Sequence, residues 1–485
     1  MQRLVLFAVI AGFVGLIADT ACGATIHVPT AEYLTITDGI DAASAGDTVQ
    51  VAAGTYYENI TMKSGVVIQG AGQGISIIDG GGSLRGVTAT DVDSTATLDG
   101  FTIRNGRGYA GGGMLNNASS PTVSNCTFSE NMTTTSSGGG MCNYQSSPTV
   151  TNCNFSKNTA SVTGGGMYNV NSSSPTVTNC TFSENTANYK DLNYEGRGGG
   201  GMANATSSPT VTNCTFSENT AYLGGAISNS ESSPTVTNCG FSGNTAIMGG
   251  GGMFNYSSSP TMTNCIFSGN TAGANGAGIF NDRTFSPTVT NCTFSGNTAY
   301  NVGGGMYNIS SSPTVTNCIL WGDNPNEISN YSSAPSVTYS DIQGDYTGTG
   351  NITVNPLFVD AANGDLHLKP FSPCIDSGDN SAPSLPTADI DGDDRKIDDS
   401  GVIDSGNGFT PFVDMGADEF SGTSQAGDIN SDGLINLADA ITALKTCTAI
   451  PPDSPVSAKT DINGDQQIGN SEAIFVLQKV STLRE

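Results

Sequence analysis

Apolar and polar residues alternate in short runs along most of this chain, and the runs repeat. The unit is Pro175-Thr176-Val177-Thr178-Asn179-Cys180-Thr181-Phe182-Ser183-Glu184-Asn185-Thr186-Ala187, rewritten with small edits from Pro121 to Cys318 and alternating with glycine-rich segments such as Gly164-Gly165-Gly166-Met167-Tyr168-Asn169. The cysteines Cys126, Cys153, Cys180, Cys214, Cys239, Cys265, Cys292 and Cys318 mark successive copies, mostly 25 to 27 residues apart. A fixed period of this size means units that hide an apolar side only against their neighbours, so the copies stack. Val, Thr, Phe, Tyr and Asn in short runs broken by Gly, Pro and Ser make each unit from strands and turns and exclude helical repeats.

Side-chain parity sketches one coil. Val177 and Cys180 both face inward only if a corner separates them, and Asn179 suits that corner because Asn tolerates the left-handed backbone region. Cys180 and Phe182 share a face. Asn185, Ala187 and the glycine run form a second corner, and Met167 enters the following strand. About three short strands per turn of chain result, stacked about 4.8 Å apart. The fold class is therefore all-β, a right-handed parallel β-helix. The stacked cysteines read as a buried ladder of free thiols, because parallel, in-register Cβ vectors are poorly aimed for disulfides.

Arg3 and the apolar run Leu4 to Ile17 fit a secretory signal, with segment 1–24 removed and no other stretch long enough for a membrane helix. The expected location is extracellular or at the cell surface. A net charge of -27 argues against nucleic acid as partner and favours solubility or divalent cations, and two histidines leave little for zinc or histidine-based catalysis. The chain divides into a cap and first coils (25–110), repeat coils (111–340), closing coils and cap (341–420), a linker (421–426) and a terminal module (427–485). The β-helix is expected to be monomeric.

From Ala24 to Gly82, Ile26-His27-Val28-Pro29, Thr35 to Ala43 and Gly46-Asp47-Thr48-Val49-Gln50-Val51 read as a strand, a short helix with Ile36 and Ile40 inward, and the first stacking strands. This resembles the amino-terminal cap of the pectate-lyase-like β-helix superfamily. Phe-x-x-Asn followed by Gly-Gly pairs (Phe182 to Asn185, Phe216 to Asn219, Phe241 to Asn244) is similar to the polymorphic outer-membrane protein repeat, which implies adhesion or surface display. Asn355-Pro356-Leu357-Phe358, Ser372-Pro373-Cys374-Ile375-Asp376 and Val413-Asp414-Met415-Gly416-Ala417-Asp418-Glu419 resemble the closing segment of secreted bacterial β-helix proteins.

The terminal module carries the strongest motif. Asp428, Asn430, Asp432, Leu434 and Asp439 occupy positions 1, 3, 5, 7 and 12 of a loop with Gly433 at the sharp turn, and Asp461, Asn463, Asp465, Gln467 and Glu472 repeat the pattern 33 residues later. Calcium needs six to eight hard oxygens around such a turn, so two Ca2+ sites are expected. The second is weaker, because Gln466 stands where glycine favours a left-handed backbone. Ile441 and Leu444 answer to Ile474 and Leu477 on the following helices. This duplicated loop and helix resembles a dockerin domain, an all-α, EF-hand-type module whose family binds a cohesin module in a calcium-dependent way; a cohesin-like module or another surface protein is the implied partner.

Two functions remain open. One is a non-catalytic protein that binds glycan or matrix along its long face; Tyr189, Tyr194 and Arg197, in the one enlarged repeat, are candidate contacts. The other is a polysaccharide lyase or glycoside hydrolase, which needs paired carboxylates or carboxylate-held calcium beside a base. The densest candidates are Asp91 and Asp93 with Arg104, near Asp79, Asp99 and Arg107; elsewhere the acids Glu130, Glu184, Glu218 and Glu231 are scattered on outer turns.

Overall fold

In a computed structural model, residues 23–188, 198–283, 286–399, 402–420, 437–447, 473–474 and 476–477 are described. Four parallel sheets wrap one core, with 13, 12, 8 and 11 strands. In coil order the first holds strands such as Thr176–Thr178, the second Thr181–Ser183, the third Thr186–Ala187 and the fourth Met202–Ala205. The early coils have three strands, as parity predicts. From Arg107–Gly108 onward a fourth, mostly of two residues, is added.

The corners explain why the repeat looks as it does. Asn125, Asn152, Asn179, Asn213, Asn238, Asn264, Asn291 and Asn317 all sit at φ of 49° to 55° between the first and second sheets, where asparagine was expected. The second corner differs from the sequence reading. Its left-handed residue is Glu184 (φ 55°), and Asn185 turns inward and is fully buried. Its side-chain amide donates to the Phe155 carbonyl (2.8 Å) and to Asn219 Oδ1 (3.0 Å), while its own Oδ1 accepts the Asn158 amide (3.0 Å). Each coil thus passes its polar requirement to the next, so an asparagine column is stable inside an apolar core. Glu130, Glu184, Glu218 and Glu231 all occupy exposed left-handed corners.

Register is strict in the first, second and fourth sheets, where Val177 pairs with Val211, Phe182 with Phe216 and Met167 with Met202; the third shifts once, between Ala221 and Leu223. From Phe128 to Phe294 the buried rings stack with centroids 4.5 to 5.1 Å apart, the spacing that strand separation imposes. The ten described cysteines are buried and free. Burial pushes the Cys142 thiol up to about 12, which keeps it in the unreactive protonated form.

Helix α1 (Ile36–Ala42) covers the first coil with Ile36 and Ile40 buried, and begins at a Thr35/Asp38 capping box. At the other end residues 358–399 and 402–420 fold back over the last coils. Asn264 and Asn317 donate to the carbonyls of Ala388 (2.7 Å) and Asp379 (3.1 Å), and Thr290 Oγ1 donates to Pro383 O (2.9 Å), so three successive coils hold the cap. Helix α2 (Leu437–Cys447) buries Ala440 and Ala443 and exposes Ile441 and Leu444; 33 residues on, Ala473 and Val476 are buried and Ile474 and Leu477 exposed. No helix among the described residues is long and apolar enough to cross a membrane.

Candidate functional site

The outer face of the fourth sheet is where large side chains gather. Met253 and Asn255 point inward, so alternation turns Phe254 and Tyr256 outward, and the next coils place Phe280, Tyr307 and Tyr331 on the same face. Phe254 and Phe280 meet edge to face at 5.2 Å, and Phe280 and Tyr307 lie 5.1 Å apart. Phe254 is buried, Phe280, Tyr256 and Tyr307 are half-buried, and Tyr331 is 63% exposed. The Arg283 guanidinium lies 5.6 Å above the Tyr256 ring, donates to its hydroxyl (3.0 Å) and reaches Asp282 Oδ1 at 3.8 Å. Burial, then the charge of Asp282, raises the Tyr307 phenol above its ordinary value, so it stays a neutral donor. The preceding glycines make the stripe possible. A Cβ on left-handed Gly276 or Gly303 would sit 2.8 or 2.9 Å from the Cβ of Phe280 or Tyr307, so only glycine lets the chain fold over the base of each ring.

Beyond this stripe the core axis ends in a cavity of about 380 Å3 lined by Asp323, Glu327, Ile328, Ile342 and Tyr346, among others. Asp323 takes the place of an asparagine at the end of the buried column, accepting from the Asn297 amide (2.7 Å) and Asn297 Nδ2 (2.8 Å). Its other oxygen and Glu327 Oε2 are buried without a hydrogen-bond partner, while the Asp323 amide donates to Glu327 Oε1 (3.1 Å). Burial, then the charge of Asp323, pushes Glu327 up to about 10; burial raises Asp323 to about 6 against its hydrogen bonds. Both carboxyls are thus held above their ordinary range, Glu327 the more strongly. Sequence reasoning missed both features. The aromatic stripe was legible in the Gly-Met-Phe-Asn-Tyr alternation, and the acid pair in the replacement of a repeated asparagine by aspartate.

The residues singled out from sequence lie elsewhere. Arg104 pairs with Asp79 (Nε to Oδ2, 2.8 Å), whose carboxyl the Gly81 amide and Arg104 hold below its ordinary range despite burial. Asp99 accepts from Ser124 Oγ and Asn125 Nδ2, both at 2.7 Å. Asp91 is an exposed left-handed corner (φ 54°), and Asp93 caps the Thr95 amide at 3.0 Å. Both follow a strand of the fourth sheet, whereas Arg104 is on the second, so Arg104 is occupied by Asp79 instead of joining them. Asp439 is buried at the start of α2. Tyr189, Tyr194, Arg197, Asp428, Asn430, Asp432, Leu434, Asp461, Asn463, Asp465, Gln467 and Glu472 lie outside the described residues, as does most of segment 1–24.

In the cap, His367 is clamped between Asp365 (2.5 Å) and Asp391 (2.9 Å). Burial opposes its charge, but the two carboxylates prevail and raise it to about 9, so near neutral pH it is a cation. Asp389 spends Oδ1 on the amides of Asp391, Gly392 and Asp393, each at 2.9 Å, which makes it a turn-forming residue. Buried Arg395 donates to the carbonyls of Gly416 and Ala417 and holds the closing loop.

No curated protein matches this chain. Among solved structures it is similar to pectate lyase Pel9A (14% identity over 79% of this chain and 90% of that one, TM-score 0.38). It is also similar to a mannuronic acid specific polysaccharide family 6 lyase from human gut microbiota (12%, covering 67% and 77%, TM-score 0.34) and to the alginate lyase AlyGC (13%, covering 68% and 53%, TM-score 0.36). Likeness at this level ties none of their activities to this chain. The family described as right handed beta helix region matches residues 58–216 and 190–342, and with its stacked parallel coils this chain belongs to that family.

Proposed function

We propose that this protein is a secreted or surface-displayed glycan-binding β-helix, non-catalytic, which docks through a calcium-dependent, dockerin-like module at its carboxyl end. The observation that carries the reading is the aromatic stripe of Phe280, Tyr307, Tyr256 and Tyr331 on one flat, rigid face. Sugar rings present C–H faces and hydroxyls, and half-exposed aromatic rings beside Asp282 and Arg283 offer both stacking surface and hydrogen-bonding partners. The rings sit on strands, so their positions are fixed before any ligand arrives and little ordering cost opposes binding.

The docking half of the proposal rests on the two loops with calcium-ligand spacing, from Asp428 and from Asp461. It is supported by the matched exposure of Ile441, Leu444, Ile474 and Leu477, an apolar surface duplicated with the loops. Chelation is expected to unfold the segment after Gly427 while leaving the β-sheet circular dichroism signal intact; simultaneous loss of both would refute a separate calcium-held module.

The alternative, a polysaccharide lyase or hydrolase, draws on the Asp323 and Glu327 pair. Glycosidases of the two-carboxylate kind present both groups to the sugar, about 5 to 9 Å apart, whereas Asp323 and Glu327 are both buried. This geometry favours binding over cleavage. The test is incubation with plant and algal polysaccharides, scored for retention and for cleavage. Retention without cleavage is expected, reduced at least tenfold in affinity by Tyr307→Ala with Tyr331→Ala. Cleavage abolished by Glu327→Gln would establish the alternative, and retention unchanged in the tyrosine double variant would remove the stripe as the binding face.

A further inference from the structure

The cap contains a second acidic centre that neither the stripe nor the terminal module uses. Asp376 is fully buried, and its Oδ1 has no hydrogen-bond partner. Leaving a carboxylate oxygen dry and unpaired is costly enough that something normally occupies the space beside it. The space beside Asp376 is bounded by more carboxylates: one oxygen each from Asp376, Asp398 and Asp404 lie within 4.8 Å of one another. The chain is drawn around this point from both ends. The Asp399 amide donates to Asp376 Oδ2 (3.1 Å), and the amides of Ser405 and Gly406 donate to the Asp376 carbonyl (3.0 and 2.9 Å).

We infer that Asp376, Asp398 and Asp404 form a calcium site, with the orphan oxygen of Asp376 as its inner ligand and the two exposed carboxylates as its mouth. The donor set is all hard oxygen, with neither thiol nor imidazole among the three, which selects against zinc and copper. Three oxygens spaced evenly around one calcium ion at 2.3–2.6 Å lie about 4 to 4.5 Å apart, so a spread within 4.8 Å is closed onto a single ion by a shift of a few tenths of an ångström at most. The charges acting on Asp376 agree: burial raises its carboxyl to about 6 against the Asp399 amide hydrogen bond, the charges of Asp398, Asp404 and Asp399 add to the rise, and a bound cation would reverse that repulsion. Calcium here would fasten Asp398 and Asp404 to the segment that Asn317 holds through Asp379, and so brace the cap against the last coils.

The test uses the full chain and hydrogen exchange read by mass spectrometry, because peptides covering 398–406 report this site separately from those after Gly427. Calcium is expected to slow exchange of the Ser405 and Gly406 amides at least tenfold in the wild type and to have no effect there in Asp398→Asn with Asp404→Asn. Both substitutions are at exposed residues and relieve like-charge repulsion, so the double variant folds; its unchanged exchange in the repeat coils verifies that. The proposal is overturned if calcium leaves wild-type exchange in 398–406 unchanged, if the double variant keeps the protection, or if sodium chloride at equal ionic strength protects equally, since that would be screening alone.

Discussion

Asn219→Ala is expected to destabilise the β-helix by about 3 to 6 kcal/mol, because each buried polar group left without a partner costs about 1 to 3 kcal/mol. Asn219 Oδ1 accepts from both the Asn185 amide and Asn185 Nδ2 (3.0 Å each), and its Nδ2 donates to the Phe182 carbonyl (2.8 Å) and to Asn244 Oδ1 (2.9 Å). Alanine removes all of these at a site with no solvent exposure, so water cannot replace them. Asn213, six residues earlier, supplies the contrast. It is an exposed corner at φ 53°, and Asn213→Ala should cost only about 1 to 2 kcal/mol, the price of a left-handed backbone for a residue with a Cβ. Equilibrium denaturation of both variants checks the difference; equal losses would mean that the inward column contributes nothing beyond what a corner does.

Glu327→Gln is expected to reduce the loss of stability that the wild type suffers as pH rises. Glu327 and Asp323 are both raised in the folded protein, to about 10 and about 6, above their values in the unfolded chain. The native state therefore binds more protons than the unfolded one. The stabilisation this brings is complete below about pH 4, the unfolded carboxyl range, and is lost progressively as pH climbs toward 10. A shift of only two to three units is worth about 3 to 4 kcal/mol. Glutamine has no proton to lose, so the variant should lose less stability than the wild type between pH 5 and 9; Asp323 and the other raised groups, Asp376 and His367 among them, account for the fall that remains. Parallel profiles for the two proteins would show that Glu327 is not raised in the folded protein.

The coil was readable from sequence because inward positions obey parity and because asparagine is one of the few residues that tolerates a left-handed corner. The same tolerance misled at Asn185. There the corner belongs to Glu184, and its counterparts Lys157 and Gly243 show that side-chain identity carries no signal at that position. The short third strand escaped notice because Thr186-Ala187 offers too few residues for alternation to register. Reading for chemistry favoured charged residues, and so weighed Asp91, Asp93 and Arg104 above a run of Phe and Tyr whose outward direction the same parity rule gives. The cap was illegible for a different reason: contacts such as Asp376 N–H to Asp414 Oδ1 join residues without periodicity, and nothing local predicts them.

The register of the first, second and fourth sheets, in which coil after coil offers its successor the same Val, Phe and Met positions, has an evolutionary consequence. Unequal crossing-over between two gene copies of the repeat would add or remove whole rungs, each changing the rod by about 4.8 Å, while neither terminus notices the change. Reach, in such a molecule, is a heritable quantity that varies in fixed increments without any new surface having to be invented.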